Sequence, residues 1–308
     1  MDETMKEPTG PAGAIAQEER LQPPYNILMP AERRAPIVFN SPHSGRYYPR
    51  SFLTGSRLDP LTIRRSEDLM VDELFRPVVA CGAPLLRAVY PRAYLDVNRE
   101  PFELDPKMFC GRLPPFANSQ SLRVAGGLGT IPKVVSDTAS IYAAPWPVDH
   151  ALRRIDAIYK PYHDALRRLL AETHVAFGSA VLIDCHSMPS TLRSGEAGQR
   201  PDFVLGDRFG TSCMPALVER VNACLASLGY SVCRNKPYAG GFITEHYGRP
   251  RRRLHALQIE INRALYMDEE KMELHAGFGK LRENLAVLAE TMIDLAGELA
   301  TDLRDAAE

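Results

Sequence analysis

The sequence has no run of about 18 apolar residues, so it offers no candidate for a membrane-spanning helix. Its start, M-D-E-T-M-K-E-P, is acidic and lacks the apolar centre of a secretory signal, so a cytoplasmic location is expected. No C-x-x-C pair occurs among the six cysteines, Cys81, Cys110, Cys185, Cys213, Cys224 and Cys233. At that density a disulfide framework is not expected, and they read as reduced thiols, mostly in the core. Neither sign of charge is in excess: 37 Lys and Arg face 38 Asp and Glu, for a net charge of -1. No global field therefore draws the chain to nucleic acid or to an anionic membrane, although a local basic cluster could hold an anionic small molecule. No G-x-S-x-G elbow, P-loop or G-x-G-x-x-G fingerprint follows a strand-like run, and G-G-L-G at 126–129 lacks the flanking strand and helix of a nucleotide site.

What is present is the composition of a folded chain, with 45% hydrophobic and 24% charged residues over 308 positions. That length supports a sizeable core. Residues 1–24 lack periodicity and read as a tail or extended arm, leaving 25–308 as one domain. A-P-I-V-F-N from Ala35 reads as a buried strand ending in the turn-rich S-P-H-S-G-R. Asp59-Pro60 reads as a helix start, with Met70, Leu74 and Val78 continuing a stripe to Cys81-Gly82. P-L-L-R-A-V-Y and A-Y-L-D-V-N read as two strands, and residues 99–145 as loops that cover a site. Leu152, Ile155, Tyr159, Tyr162, Leu166 and Leu169 predict a helix over 147–172.

Further strands are predicted at A-V-L-I-D-C-H-S, D-F-V-L-G-D, Y-S-V-C-R-N and L-H-A-L-Q-I-E-I-N-R. Further helices are predicted over 212–228 and at the C-terminus, where Leu281, Leu285, Leu288, Met292 and Leu295 recur. This alternation, without an internal repeat, argues an α/β fold with a mixed sheet between helices.

In such a fold sites gather at the carboxyl ends of strands. His43 follows the first strand; Asp184 and His186 share one face near the end of another; Gln258, Glu260 and Asn262 share a face of a third. Alone, His43 reads more readily as a loop hydrogen-bonder than as a ligand, and His186 as a cap of the helix that follows. Two histidines and one carboxylate around an open position is the pattern of catalytic zinc. The carboxylate could come from S-E-D-L, where Glu67 and Asp68 also suit a helix start. Glu260, in an otherwise apolar strand, must be paired or line a wet cavity, and a carboxylate beside a zinc centre is the expected general base. Arg99 could clamp an anion or pair with Glu100, Glu103 or Asp105. Gly240-Gly241 reads as a substrate loop or a plain turn.

F-N-S-P-H-S-G-R-Y-Y-P, R-R-S-E-D-L-M-V-D-E-L-F, Y-L-D-V-N-R-E, D-C-H-S-M-P, N-K-P-Y-A-G-G-F-I-T and L-Q-I-E-I-N-R, in that order, resemble the N-formylglutamate amidohydrolase family. That family is similar to zinc carboxypeptidases and aspartoacylase. The resemblance implies a three-layer α/β/α fold with a mixed, mostly parallel sheet, zinc carboxypeptidase-like among the phosphorylase/hydrolase-like folds. It implies hydrolysis of N-formyl-L-glutamate to formate and L-glutamate in histidine breakdown. By similarity the metal, Zn2+ or another divalent ion, falls on His43, Asp68 and His186, with Asp68 favoured over Glu67. Glu260 falls at the general base. Asn98 and Arg99 resemble the Asn-Arg pair that holds a substrate carboxylate, and Arg193, Arg46 or Arg263 are candidates for the other. The implied partner is a small N-acyl amino acid, with no nucleic acid and no membrane.

Three other readings stand beside it. One is a related metal-dependent N-acyl amino-acid deacylase or carboxypeptidase-like hydrolase. Another is a non-catalytic binder of acidic amino acids. The last is a cysteine amidase using Cys185 with His186, which strand alternation opposes because neighbours point to opposite faces.

Overall fold

The structure is a computed structural model. It describes residues 22–135, 139–191 and 200–305, with side chains to 298. Of the expected N-terminal tail, only residues 22–24 fall within it. Seven strands form the main sheet: β1 (Tyr25–Leu28), β2 (Ile37–Ser41), β3 (Leu85–Ala88), β4 (Ala180–Met188), β5 (Phe203–Gly206), β6 (Val232–Arg234) and β7 (Leu254–Asn262). Their order is β1-β3-β2-β4-β7-β5-β6. The four central strands β3, β2, β4 and β7 run parallel; β1 pairs antiparallel to β3, and β5 antiparallel to β7. The apolar runs that signalled strands without alternation, β2 and β4, are buried along their whole length, as strands covered on both faces must be.

Helices cover both faces, giving the expected three layers. On one face lie α1 (Val148–Arg154), a π turn (Ile155–Tyr159) and α2 (Lys160–Phe177), with Ile155, Tyr159, Tyr162, Leu166 and Leu169 in a core with Val38, Leu182 and Ala256. This helix stops at Gly178, whose φ of 76° suits a residue without Cβ. On the other face α3 (Pro215–Ser227) and α5 (Gly277–Asp305) pack on Ile183, Cys185, Ile259 and Ile261. A short α4 (Phe242–Tyr247) follows the two glycines. No described helix is long and apolar enough to cross a membrane.

Two expectations fail locally. The single helix expected over 59–81 is three pieces, a 3-10 turn at Thr62–Ser66, one α turn at Val71–Leu74 and a second 3-10 turn at Arg76–Val79. Glu67 is extended and Met70 left-handed at φ 57°, so the backbone cannot propagate between them. The strand expected at A-Y-L-D-V-N is a set of turns: Tyr94 and Leu95 donate to the Pro91 carbonyl, and Asn98 N–H donates to the Asp96 side chain. Residues 93–98 are all buried, so their alternation of types reported no sheet face. Of the cysteines, Cys81, Cys185 and Cys213 are buried, whereas Cys110 and Cys233 are exposed and Cys224 is intermediate; all six are free.

His163 on α2 is held neutral. Its ring lies 2.8 Å from the Val97 carbonyl and 2.8 Å from the Tyr247 hydroxyl, and burial pushes its pKa down to about 4. The unfolded chain, with an ordinary histidine, binds a proton that the fold resists. Stability is therefore full above about pH 6.5 and falls as pH drops toward 4, by about 2 kcal/mol between pH 7 and 5. Urea midpoints at both pH values, for the native chain and His163→Gln, should show the variant with the shallower pH dependence. Equal slopes would contradict the assignment.

Candidate active site

Three loops or strand ends converge at the carboxyl end of the parallel strands. His43 sits two residues beyond β2, in a loop pressed against the backbone: a Cβ on Gly45 would lie 2.0 Å from the Tyr90 carbonyl oxygen, so glycine is required there. Asp68 follows the first 3-10 turn, and its N–H donates to the His43 carbonyl at 3.1 Å, tying the two loops. His186 projects from β4 on the α2 face. One ligand atom from each of His43, Asp68 and His186 lies within 4.8 Å of the others, and all three residues are buried. Glu67, the neighbouring acid, faces away. It accepts from Tyr48 Oη at 2.7 Å and Arg64 Nε at 3.0 Å.

The histidine nitrogens are sorted by what surrounds them. His43 Nε2 lies 2.7 Å from Asp96 Oδ1, and His186 Nε2 lies 3.0 Å from Asp184 Oδ2. Both Nδ1 atoms face Asp68 Oδ2, His186 at 2.9 Å and His43 at 3.4 Å. His43 Nδ1 is a buried nitrogen with no hydrogen-bond partner among the described residues. A carboxylate on the remote nitrogen of each imidazole is how metal-binding histidines are oriented. The donor set, two imidazoles and one carboxylate with an orphaned nitrogen among them, fits a divalent cation.

The electrostatics agree. Burial alone would raise Asp68 and Asp96 and lower His186. Hydrogen bonds and charge from His186 and His43 outweigh this at Asp68, and Arg92, Arg99 and His43 do so at Asp96, holding both carboxyls well below their usual range. Asp184, Asp68 and Glu260 push His186 well above the ordinary imidazole value. A field that retains positive charge on His186 also favours a bound cation.

Glu260 lies opposite His186 in the β4–β7 register. It is buried, and its carboxyl is raised to about 7, chiefly by desolvation, with Asp68 and Asp184 adding and His186 and Arg92 opposing. Gln258 Nε2 donates to Glu260 Oε1 at 2.8 Å, while Gln258 Oε1 accepts from Gly241 N–H at 2.7 Å. The Gly240-Gly241 loop is thus keyed to the Glu260 strand. A Cβ on Gly241 would lie 2.5 Å from Asn98 Nδ2, so the loop backbone meets Asn98 directly. Asn98 Oδ1 accepts from Ile243 N–H at 2.8 Å, and its Nδ2 lies 3.1 Å from His186 Nε2.

Among the described residues His43, His186, Asn98, Gly241, Gln258 and Glu260 line a cavity of about 610 Å3, whose charged lining holds seven arginines and two carboxylates, Asp96 and Glu260. Arg99 is among them but pairs with none of Glu100, Glu103 and Asp105. Nε donates to the Leu128 carbonyl at 2.8 Å, Nη1 to the Asn98 carbonyl at 2.7 Å, and Nη2 lies 3.4 Å from Asp96, which fixes the guanidinium while leaving donors open. Arg263 is spent on structure: it donates to Ser187 Oγ, the Arg65 and Glu67 carbonyls and Asp68 Oδ1. Arg46 is not in the lining and instead makes a two-point pair with Asp72 at 3.0 and 3.1 Å. Arg193 lies outside the described residues.

Sequence reading passed over Arg65, Arg92, Arg123, Arg200 and Arg208 in the lining, and Asp96 against His43. Asp96 stands in the Y-L-D-V-N-R-E run already singled out, but the strand reading concealed its role. Cys185 faces the α3–α5 core, away from His186, and burial pushes its thiol up, which removes the cysteine-amidase reading.

A family profile described as N-formylglutamate amidohydrolase matches residues 35–267. The chain is 31% identical over 241 residues to an N-formylglutamate deformylase of Pseudomonas aeruginosa, covering 77% of this chain and 84% of that protein. To a protein of the same name from Pseudomonas putida it is 31% identical over 247 residues, 79% of this chain and 86% of the other. The crystal structure of N-formylglutamate amidohydrolase from Ralstonia eutropha JMP134 superposes with a TM-score of 0.83 at 35% identity, over 92% of this chain and all (100%) of that one. With the matched region spanning every element that carries the cavity, the chain belongs to the N-formylglutamate amidohydrolase family.

Proposed function

We propose that the chain hydrolyses N-formyl-L-glutamate to formate and L-glutamate in a metal-dependent reaction, in the cytoplasm. The observation that carries this reading is an arginine-rich cavity opening on a His–Asp–His cluster beside a buried glutamate. A substrate with two carboxylates matches an arginine-rich lining in which Arg99 keeps donors open, while Arg92, Arg208 and Arg263 are already paired with Asp96, Glu245 and Asp68. The names of the relatives supply the formyl group.

His43, Asp68 and His186 would hold the ion. A divalent ion such as zinc supplies Lewis acidity there, lowering the pKa of a water toward neutrality and polarising a carbonyl. Asn98 and Arg99, fixed by their backbone contacts, orient one substrate carboxylate, and other cavity arginines meet the second. The Gly240-Gly241 backbone shapes the wall against which the substrate lies. Glu260 accepts the proton of the attacking water as its oxygen bonds to the formyl carbon, while cavity cations stabilise the carbonyl oxygen as it gains charge. Glu260 then delivers that proton to the amide nitrogen as the C–N bond breaks, giving formate and the free amine of glutamate.

The test is formate release from N-formyl-L-glutamate, before and after chelation and zinc restoration. Chelation is expected to abolish release and zinc to restore it. N-formyl-L-glutamine, one charge short, should be about 10- to 100-fold poorer in kcat/KM. Faster release of acetate from N-acetyl-L-glutamate would move the reading to the neighbouring deacylase class. Release insensitive to chelation, with no metal bound, would end it.

A further inference from the structure

A buried polar chain runs from helix α2 to the His–Asp–His cluster. Tyr162 Oη lies 2.5 Å from Asn40 Oδ1, Asn40 Nδ2 lies 2.7 Å from Asp184 Oδ1, and Asp184 Oδ2 lies 3.0 Å from His186 Nε2. Tyr162, Asn40 and Asp184 are all fully buried, and Asn40 and Asp184 are register partners on adjacent strands. None of the three touches the cavity. Polar groups so buried are, with few exceptions, hydrogen-bonded.

His186 Nε2 has two neighbours of opposite character. Asp184 Oδ2 at 3.0 Å accepts, and Asn98 Nδ2 at 3.1 Å donates. If Nε2 carries its proton to Asp184, Nδ1 presents a lone pair toward Asp68 and can ligate. If Nε2 instead accepts from Asn98, neutral His186 carries its proton on Nδ1 and cannot ligate through that atom. The choice depends on Asp184 being held as an acceptor at that position.

We propose that Tyr162 and Asn40 are positioning residues that hold His186 in its metal-ligating tautomer through Asp184. The direction of the chain is fixed by its ends. A carboxylate accepts, so the Asn40 atom facing it is the amide nitrogen; the amide oxygen then faces Tyr162, whose hydroxyl must donate. Tyr162 thereby prevents the amide of Asn40 from flipping, and Asn40 pins one oxygen of Asp184 so that the other meets His186. The inference rests on the metal reading of the site given above.

The experiment is zinc affinity, by competition with a chromophoric chelator, for the native chain, Tyr162→Phe and Asn40→Leu. Tyr162→Phe nearly preserves volume and removes the hydroxyl donor; Asn40→Leu keeps the branched shape at a larger volume and removes both the donor and the acceptor of the amide. The zinc dissociation constant is expected to rise about tenfold in Tyr162→Phe and further in Asn40→Leu, within the range for residues that orient a ligand. The KM of the zinc-saturated enzyme should stay within about twofold, because neither residue lines the cavity. Long-range proton–nitrogen spectra of the zinc-loaded native chain should show the His186 proton on Nε2. Native-like zinc affinity in both variants, even with a lowered Tm, would reduce the chain to a structural element and overturn the proposal, as would a His186 proton on Nδ1. A native chain that binds no zinc would instead overturn the metal reading itself, and the inference with it.

Discussion

Glu260→Gln is expected to lower kcat for formate release by about 10^2- to 10^4-fold, the span typical of a lost general base. Metal content and KM should stay close to native. The substitution keeps the volume of the side chain and keeps an oxygen to accept from Gln258 Nε2, the one hydrogen bond described for this carboxyl. What it removes is the capacity to take a proton. A group doing this work at neutral pH needs a raised carboxyl pKa, and burial against β4 supplies it. Metal analysis alongside steady-state kinetics is the check. Native kcat would remove Glu260 from the chemistry, and loss of metal would make it a ligand instead.

Asp68→Asn should give the second large effect, loss of stoichiometric zinc and with it all formate release. The carboxylate is held from both sides. Oδ1 accepts from Ser187 Oγ at 3.1 Å and Arg263 at 3.4 Å, so Oδ2 is left to face the two histidines. In an asparagine the oxygen stays with those donors and the NH2 turns toward the imidazoles. A ligand atom becomes a donor, at almost unchanged volume. The affinity lost should exceed the roughly 10- to 100-fold that a ligand-orienting residue contributes. Glu67→Gln is the control. Its carboxylate faces Tyr48 and Arg64, so zinc should stay bound. Metal analysis of purified protein reads both; one zinc per chain in Asp68→Asn would exclude Asp68 as a ligand.

The two substitutions separate binding from chemistry because the fold separates them. Asp68 sits in a loop locked to the His43 loop by a backbone hydrogen bond, whereas Glu260 stands on a central strand directly opposite His186 in register. The arginine shell meets Asp68 through Arg263, which donates to Oδ1. Its arginines come from six separate segments of the chain, so no single segment advertises it.

Several parts of this arrangement were legible in one dimension. The strand period of two set Asp184 and His186 on one face, and Gln258, Glu260 and Asn262 on one face, since successive side chains in an extended chain must point oppositely. The helix period found the buried stripe of α1 and α2, Tyr162 included, but read its phenol as core alone. A ring that belongs to a core can still deliver a hydroxyl to a site on the sheet beneath it, and periodicity carries no information about that atom. Arg263 and Arg46 fitted a substrate clamp by residue type. Their guanidinia are committed elsewhere, Arg263 to carbonyls 196 and 198 positions away and to Asp68, Arg46 to Asp72.

By itself, then, the sequence determined the layer architecture and the order of its strands' chemistry, because hydrophobic burial imposes local periods on any chain that folds this way. It also determined the residue types for a metal centre and a base, carried by six ordered motifs. Only the tertiary structure decided which of two adjacent acids faces the histidines, which nitrogen of each ring faces Asp68, and which arginines line the cavity. Those are matters of side-chain direction across segments more than 100 residues apart, as between Asp68 and His186. A turn at Glu67 or Met70 rotates every side chain after it, and no local propensity specifies that rotation.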